Sequence, residues 1–364
     1  MSTCLNEKGT EPYLNSDVSN EVLKKIEELK EKTGDQILIL GHHYQQDLVI
    51  RFADKTGDSY ELAKYASKEK NKKYILFCGV HFMAETADIL TEDDQAVILP
   101  DLAAGCSMAD MATLDDVEVM FDNVSSVSDK KLIPITYVNS SADIKAFVGK
   151  NGGLVCTSSN AQKAIEWAFE RGDRLMFLPD QHLGRNTAYK MGIPLEEMLL
   201  VDPKEPESVT GASNLPDKKV FLWKGHCSVH MNFRAEHIDM MKEKYPDVIV
   251  IVHPECRFDV VQKADIAGST SFIIKTIANA QPGSRWAVGT EHHLVNRLQG
   301  LFPDKIITTL APFTCQCATM SRISPENLLK SLTAILDGEV INRIQVEPET
   351  KKYAKIALER MLEI

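Results

Sequence analysis

Three well-separated cysteines occupy the same place in three similar segments of the chain. Cys106 ends VILPDLAAGC, Cys227 ends VFLWKGHC and Cys317 ends IITTLAPFTCQC. Each follows an apolar run of strand length, so three copies of one unit could bring three thiolates to a single centre. Such a donor set suits zinc, a mononuclear iron or an iron–sulfur cluster. A cluster held by three cysteines leaves one iron free to act as a Lewis acid on a substrate oxygen.

The remaining cysteines are expected to serve other purposes. Cys315 stands two residues before Cys317 and competes with it for the third place. Cys78 and Cys156 lie within or at the end of apolar runs and are predicted to pack in the core, and Cys4 is expected in a mobile tail. The sequence has no pair of CxxC motifs, which argues against a closed structural zinc site.

Polar side chains end the first strand of each copy. In chain order they are His42 and Tyr44, Tyr137 and Asn139, and His253 and Glu255. Histidine, tyrosine and glutamate at one cavity supply a general acid or base when burial and neighbouring groups tune their pKa values. An isolated histidine is more often structural, but HxY at His42 and HPE at His253 occupy equivalent places, which favours a catalytic role.

A hydroxyl-bearing turn precedes a helix in every copy. The three turns are Asp58-Ser59, Thr157-Ser158-Ser159 and Ser269-Thr270-Ser271. One such turn is usually a helix N-cap. Three of them directed at one point would hold a phosphate or carboxylate without lysines, because helix N-termini offer free N–H groups and partial positive charge.

Apolar runs that alternate with helical stretches must position these groups. The pattern predicts an α/β protein with three pseudo-threefold-related αβα domains, whose short parallel sheets surround a central cavity. Ligands of parallel sheets bind at the carboxyl ends of the strands, where the polar tips and cysteines fall. The interval from Ser59 to Cys106 equals that from Thr270 to Cys317, whereas the interval from Ser158 to Cys227 is longer.

The predicted organisation has five parts. They are an N-terminal lead and helix at 1–35, repeats at 36–130, 131–231 and 232–323, and C-terminal helices at 324–364. The lead helix has Ser and Asp capping candidates, apolar Val22, Ile26 and Leu29 at helical spacing, and Gly34 as a stop. The extra length of the second repeat, at 194–217, is interpreted as an inserted surface loop. The C-terminal helices are expected to pack on the outside.

Composition excludes several classes of function. A formal charge of -11 argues against a nucleic-acid surface, which needs a basic patch. No apolar run approaches the roughly 20 residues that span a bilayer, and residues 1–20 lack the features of a secretory signal. We therefore expect a cytosolic protein without a membrane partner, in which disulfides are disfavoured.

The motifs resemble the quinolinate synthase family, the A protein of bacterial-type NAD synthesis. The resemblance runs from about Gly41 to Met320 and rests on GHHYQ, GDS, CGVHFMAETADIL, AGCSMAD, YVNS, CTSSNA, WKGHCSVH, HPEC and AGSTS. It implies a [4Fe-4S] cluster held by Cys106, Cys227 and Cys317. Cys317 is preferred because the family's third ligand precedes a methionine by three positions, as in CATM.

The resemblance also assigns the other site residues. Those implied to contact substrate are His42, Tyr44, Ser59, Tyr137, Asn139, Ser158, His253, Ser269 and Thr270. Thr157 is a rival to Ser158, and Glu255 is the expected proton-transferring carboxylate. The longer second repeat and the N-terminal lead depart from shorter family members without touching a motif.

The implied reaction joins iminoaspartate and dihydroxyacetone phosphate to form quinolinate, with loss of phosphate and two waters. An aspartate oxidase or dehydrogenase would supply the iminoaspartate. The alternatives are another hydro-lyase with an open-iron cluster and, less favoured, an electron carrier or iron sensor. The last would need Cys315 or Cys256 to complete the coordination of the cluster.

Overall fold

Three sheets, formed one after another along the chain, carry the predicted repeats. The computed structural model of the protein describes residues 20–206, 209 and 215–364. The first unit contains strands β1 (Ile37–His42), β2 (Lys55–Gly57), β3 (Tyr74–Cys78) and β4 (Ala96–Ile98). Its helices are α1 (Asn20–Thr33), α2 (Asp47–Ile50), α3 (Ser59–Ala66), α4 (His81–Leu90) and α5 (Leu114–Ser126).

The second and third units repeat this alternation. The second has β5 (Leu132–Tyr137), α6 (Ala142–Lys150), β6 (Leu154–Cys156), α7 (Ala161–Phe169), β7 (Arg174–Leu178), α8 (Gln181–Lys190), β8 (Met198–Val201) and β9 (Val220–Trp223). The third has α9 (Ala235–Lys244), β10 (Ile249–Val252), α10 (Phe258–Lys263), β11 (Ile266–Ala267), α11 (Thr270–Ala278), β12 (Arg285–Gly289), α12 (His292–Leu301) and β13 (Ile306–Thr309). The C-terminal part adds α13 (Pro325–Leu336), β14 (Arg343–Ile344) and α14 (Pro348–Glu363).

Strand order is the same in all three units. The sheets read β14-β4-β3-β1-β2, β6-β5-β7-β9-β8 and β11-β10-β12-β13. In each sheet, the strand that ends in the first polar tip (β1, β5 or β10) lies between the short strand β2, β6 or β11 and the next long strand, β3, β7 or β12. The strand before the cysteine (β4, β9 or β13) lies on the other side of that long strand. All pairings except β14 with β4 are parallel. The predicted fold class is confirmed, and the predicted domain limits remain predictions.

Each unit contains a short strand that the sequence pattern did not predict. These strands, β2, β6 and β11, are two or three residues long and end no more than one residue before the hydroxyl-bearing turns. Strands this short carry no readable period, so the pattern did not reveal them. Their effect is to bring those turns to the same edge of each sheet as the polar tips, because parallel strands share a carboxyl end.

The insertion at 194–217 is not simply a surface loop, as its composition suggested. Met198–Val201 forms β8, which pairs in parallel with β9 and extends the second sheet by one edge strand. Its register places Val201 beside Trp223, and both side chains are fully buried. An edge strand needs only one hydrogen-bonded neighbour, so a short apolar stretch within a polar segment suffices.

The C-terminal helices form as predicted, and α14 has one exposed face and one face buried against the rest of the protein. Strand β14 pairs antiparallel with β4, and α14 lies against α6. Ala354, Ala357 and Leu358 of α14 are fully buried. The two helices approach closely because α6 has Gly149 at the crossing, where a Cβ atom would lie 2.0 Å from the carbonyl oxygen of Tyr353. The C-terminal segment thereby joins the first unit to the second.

The lead helix α1 packs on α13 through Ile26, which is fully buried. Its predicted cap residues at 16–19 and Cys4 lie outside the described residues. Gly34 follows the helix with a φ of +53°, a conformation that glycine adopts readily. Across the described ranges, no helix has the length and apolar character needed to cross a bilayer.

Candidate active site

The carboxyl ends of the strands meet around one cavity of about 660 Å³. The cavity is lined by every predicted site residue except Ser269, namely His42, Tyr44, Ser59, Cys106, Tyr137, Asn139, Ser158, Cys227, His253, Glu255, Thr270 and Cys317. Thr157, the rival to Ser158, also lines it. Residues of all three units therefore contribute to a single site.

The loops that carry the cysteines are held by the same hydrogen bond in each unit. The helix that precedes the cysteine loop is α4, α8 or α12. Its first residue donates its N–H to the carbonyl oxygen of the residue two positions before the cysteine. The three bonds run from His81 to Ala104 at 2.8 Å, from Gln181 to Gly225 at 3.0 Å and from His292 to Cys315 at 3.0 Å. Cys315 is thus the counterpart of an alanine and a glycine, whereas Cys317 is the counterpart of Cys106 and Cys227.

A second repeated bond follows each of these cysteines. The cysteine carbonyl oxygen accepts the N–H of the residue four positions later, at 3.1 Å for Cys106, 3.0 Å for Cys227 and 3.1 Å for Cys317. A 3₁₀ turn begins three residues after each cysteine, at Ala109, His230 and Met320. The backbone presents the three thiols in equivalent ways, although the sequences of the loops differ.

Burial opposes loss of the proton from two of the three thiols. Burial raises the pKa of Cys106 to about 12, and the neighbouring Cys317 adds to the effect. Burial, followed by the Glu255 carboxylate, raises the pKa of Cys227 well above its ordinary value. A metal ion would reverse this cost, because it stabilises the thiolate form directly.

The other cysteines lie away from the cavity. Cys78 and Cys156 are fully buried in the core, as predicted. Cys256 and Cys315 are buried together in an apolar cluster of the third unit, and the Cys315 thiol faces the carbonyl oxygen of Phe313 at 3.9 Å. Neither lines the cavity with the three equivalent thiols.

Glu255 is the buried carboxylate of the site. Tyr137 donates a hydrogen bond to its Oε1 atom at 2.5 Å, and the His230 ring contacts Oε2 at 3.0 Å. Burial alone would raise the pKa of Glu255, but attraction to His230 and His253, with the hydrogen bonds from His230 and Tyr137, lowers it to about 2. The carboxylate is therefore ionised at neutral pH although it is only 3% exposed.

His42 and His253 take the same conformation in the first and third units. The Nδ1 atom of each ring accepts a backbone N–H from two residues later, from Tyr44 at 3.2 Å and from Glu255 at 3.3 Å. Burial lowers the pKa of both histidines to about 3. Both rings are neutral at pH 7, and their Nε2 atoms carry the proton, because Nδ1 is occupied as an acceptor.

The two tyrosines are neutral hydrogen-bonding groups. Burial, with the charge of Glu255, raises the pKa of both Tyr44 and Tyr137 well above the ordinary value. The Tyr44 hydroxyl is hydrogen-bonded to Thr270 at 3.0 Å and to Thr290 at 2.8 Å. Each hydroxyl thus keeps its proton at neutral pH and can donate a hydrogen bond within the cavity.

The hydroxyl-bearing turns begin α3, α7 and α11 at the edge of the cavity. Ser59, Ser158 and Thr270 line it, and Ser158 is hydrogen-bonded to the His253 Nε2 atom at 3.2 Å. Ser269 instead caps α11 by accepting the N–H of Phe272 at 3.3 Å, so its predicted contact with substrate finds no support in its position.

A carboxylate lies among these turns. Asp58 caps α3 and accepts hydrogen bonds at Oδ2 from Ser159 at 3.0 Å and from Ser271 at 2.8 Å. One side chain therefore links the hydroxyl-bearing turns of all three units. The hydroxyls of Ser159 and Ser271 are committed to this contact. Ser59, Ser158 and Thr270 line the cavity, where Ser158 is also hydrogen-bonded to His253 and Thr270 to Tyr44.

Sequence reasoning missed His230, which stands at the centre of the site. Its ring contacts Glu255 and Thr290 and stacks on His253 with ring centroids 4.6 Å apart. The Cys227 sulfur, a ring nitrogen of His230 and a Glu255 oxygen all lie within 4.8 Å of one another, a geometry that can hold a metal ion. The motif WKGHCSVH contains this histidine, three residues after the cysteine, and could have revealed it.

The fold and the site together define an α/β enzyme. Parallel strands of three related units converge on a cavity with three thiols, an ionised carboxylate and neutral proton donors. Comparison with known proteins specifies the class further, since the family model described as quinolinate synthetase A protein matches residues 24–363. The chain belongs to that family.

Curated relatives agree with this assignment. A quinolinate synthase of Anoxybacillus flavithermus is 54% identical over 342 residues, which cover 94% of this chain and 93% of the relative. One of Geobacillus thermodenitrificans is 54% identical over 343 residues, with 94% and 93% covered. One of Bacillus cereus is 52% identical over 340 residues, with 93% and 92% covered.

Proposed function

We propose that the cavity joins iminoaspartate to dihydroxyacetone phosphate and forms quinolinate with release of phosphate and two waters. The observation that carries the proposal is the common cavity of three equivalently held cysteines and the ionised Glu255. Family membership supports the product, which the names of the relatives specify. Carbon, nitrogen and phosphorus balance in this equation, and no external oxidant is needed.

Cys106, Cys227 and Cys317 would hold a [4Fe-4S] cluster. The donor set fits, because three thiols in equivalent backbone settings face one cavity. When bound, the cluster supplies one iron without a protein thiolate, which can polarise a substrate oxygen. A competing arrangement would place a single ion at Cys227, His230 and Glu255, and metal analysis separates the two.

The anionic groups of the substrates would lie at the hydroxyl-bearing turns. Ser59, Ser158 and Thr270 offer hydroxyls at helix starts, where free N–H groups attract phosphate or carboxylate. Asn139 supports a neighbouring contact, because its buried Oδ1 atom has no hydrogen-bond partner and the residue lines the cavity. An N–H or O–H group of a substrate would satisfy that oxygen.

Proton transfer would depend on Glu255 and the groups around it. The carboxylate would accept a proton from a substrate carbon or nitrogen, and Tyr137 and His230 each fix one of its two oxygens. Tyr44, neutral and fixed by two threonines, would donate toward a leaving oxygen. His42 and His253, also neutral, would donate hydrogen bonds through Nε2 without adding charge.

The wider setting is also a proposal. The acidic chain, with a formal charge of -11, is proposed to act in the cytosol beside an aspartate oxidase or dehydrogenase that supplies iminoaspartate. Neither nucleic acid nor a membrane is part of this proposal. The imine substrate is hydrolysed in water, so a nearby source would favour turnover.

The test is purification without oxygen followed by metal analysis and a product assay. We expect about four irons and four sulfides per chain, and quinolinate only when both iminoaspartate and the triose phosphate are present. Product formed from another hydroxy acid without triose phosphate would instead support a different hydro-lyase. Zinc, or iron without sulfide, would overturn the proposed cluster.

A further inference from the structure

Three equivalent positions start the helices that hold the cysteine loops. They are Val80 before α4, Asp180 before α8 and Glu291 before α12. Val80 has no side-chain cap, and Asp180 accepts the N–H of Leu183 at 2.6 Å. Glu291 accepts two N–H groups of its own helix, from His293 at 2.8 Å and Leu294 at 3.4 Å. Its side chain is one methylene longer than that of Asp180.

The additional length lets Glu291 reach a proposed metal ligand. Its Oε1 atom accepts the backbone N–H of Cys317 at 3.3 Å and contacts the His293 ring at 2.9 Å. Within the described residues, no side chain makes the corresponding contact with the backbone N–H of Cys106 or Cys227. The third cysteine is therefore the one whose own amide is held by a carboxylate.

The carboxylate in this contact lies inside the protein. Glu291 is fully buried, and no lysine or arginine is among its hydrogen-bond partners. The carboxylate is satisfied by N–H donors, and a bond to a charged acceptor in such surroundings is stronger than a bond between neutral groups. A buried amide that loses its acceptor is unfavourable, so the Cys317 loop should move when the carboxylate is withdrawn.

The neighbouring Thr290 connects the same turn to the acid–base groups. Its hydroxyl is hydrogen-bonded to Tyr44 of the first unit at 2.8 Å and to His230 of the second unit at 3.3 Å. The turn at Thr290 and Glu291 thus contacts a proton donor, the histidine beside Glu255 and the third cysteine. A shift of this turn would therefore disturb both the acid–base groups and the third cysteine.

We propose that Glu291 is a positioning residue that holds Cys317 in place as a ligand of the metal centre. The proposal rests on the function proposed above, since it takes Cys317 as a ligand. Glu291 caps its helix with one oxygen and steadies the ligand loop with the other. The second unit lacks this device, because Asp180 is too short, and the first unit lacks it because Val80 carries no acceptor.

Glu291→Asp is the decisive variant. It keeps the negative charge and the helix cap, as Asp180 does in the second unit, but withdraws the oxygen from Cys317. Glu347→Asp is the matched control, because Glu347 is exposed and caps α14 by accepting the N–H of Glu349 at 3.0 Å. Both variants and the unaltered chain are reconstituted with iron and sulfide without oxygen.

Two quantities are measured besides activity, the rate of iron release to 2,2′-bipyridyl and the hydrogen exchange of peptides covering 311–321 in the metal-free protein. We expect Glu291→Asp to release iron about tenfold faster, the lower end of the effect of removing a partner of a metal ligand. Exchange at the Cys317 amide should also rise. Glu347→Asp should change neither quantity.

Unchanged iron release and unchanged exchange in Glu291→Asp would overturn the proposal. If that variant unfolds, Glu291→Gln is measured in the same way, because it keeps the side-chain length and one accepting oxygen. A smaller increase in iron release is expected there, and none would again contradict the proposal. If the unaltered chain binds no iron, the proposed function fails, while the exchange of the metal-free protein still tests the contact of Glu291 with Cys317.

Discussion

The Tyr137 hydroxyl donates a hydrogen bond to Glu255 at 2.5 Å and thereby joins a strand end of the second unit to one of the third. The two side chains are far apart in the sequence and both are almost completely buried. With His230 on its other oxygen, the carboxylate of Glu255 is ionised in a cavity that excludes most water. This arrangement suits a base that acts on a substrate, and it predicts how changes at each group should behave.

Replacement of Glu255 by glutamine should abolish most activity. The amide keeps the size of the side chain but cannot accept a proton, so quinolinate formation should fall about 100-fold or more. Iron and sulfide content should remain that of the unaltered chain. The exposed Glu243→Gln serves as a control and should be fully active. Quinolinate formation by Glu255→Gln at the unaltered rate would disprove the assignment of the base.

Tyr137→Phe should change the pH dependence of the reaction. The hydrogen bond of Tyr137 is one of the contacts that lower the pKa of Glu255 against the effect of burial. Its loss should raise that pKa, so that Glu255 becomes protonated at a higher pH as acid is added. The acidic limb of the pH profile of kcat/KM should therefore shift to higher pH. Tyr189→Phe, at an exposed tyrosine, should leave the profile in place. A profile of Tyr137→Phe that coincides with the unaltered one would contradict this coupling.

The buried histidines should make the protein sensitive to acid. Burial lowers the pKa of His42 and His253 from 6.5 to about 3, so the unfolded chain binds protons that the folded chain refuses. Stability should be complete above pH 6.5 and should fall as the pH drops toward 3, by about 1.4 kcal/mol per pH unit for each histidine.

Urea unfolding at several pH values measures this effect. His253→Gln should show a shallower loss of stability between pH 6.5 and 4, even if it is less stable at pH 7. His81→Gln, at a side chain that is 44% exposed, should keep the full pH dependence. Equal slopes in all three proteins would mean that the buried rings do not carry the effect.

The crossing of α6 and α14 should depend on Gly149. A methyl group there would lie 2.0 Å from the Tyr353 carbonyl oxygen, so Gly149→Ala should lower the free energy of unfolding by about 2 kcal/mol. Gly300→Ala, in α12 with open space around the new Cβ atom, should raise it by about 0.5 kcal/mol. Denaturant midpoints compare the two. If Gly149→Ala is as stable as the unaltered chain, the helices do not pack as described.

The repeated order of parts could be predicted from sequence because apolar runs, polar tips and cysteines recur in register. The short strands β2, β6 and β11 could not, since two or three residues show no period. The burial of α14 also escaped prediction. It depends on the small residue Gly149 of a distant helix, and Ala354 and Ala357 alone do not show which surface they meet.

The site was predicted in outline for the same reason. His42 and His253 were found because they recur, and the structure gives them the same backbone contact. His230 was missed because its counterparts are Ala109 and Met320, so the repeat offers no polar signal at that position. Ser269 was placed in the site because the resemblance matched Ser269 and Thr270 together to one anion site, and only the geometry of the turn separates a cap from a lining residue.

The choice between Cys317 and Cys315 tests the central claim most directly. Iron and sulfide are counted in Cys317→Ser and Cys315→Ser after anaerobic reconstitution, and quinolinate formation is assayed in the same samples. We predict that Cys317→Ser loses most of its iron and all activity, while Cys315→Ser keeps about four irons and four sulfides per chain and remains active. Full cluster content in Cys317→Ser, or its loss in Cys315→Ser alone, would contradict a centre held by three equivalent cysteines.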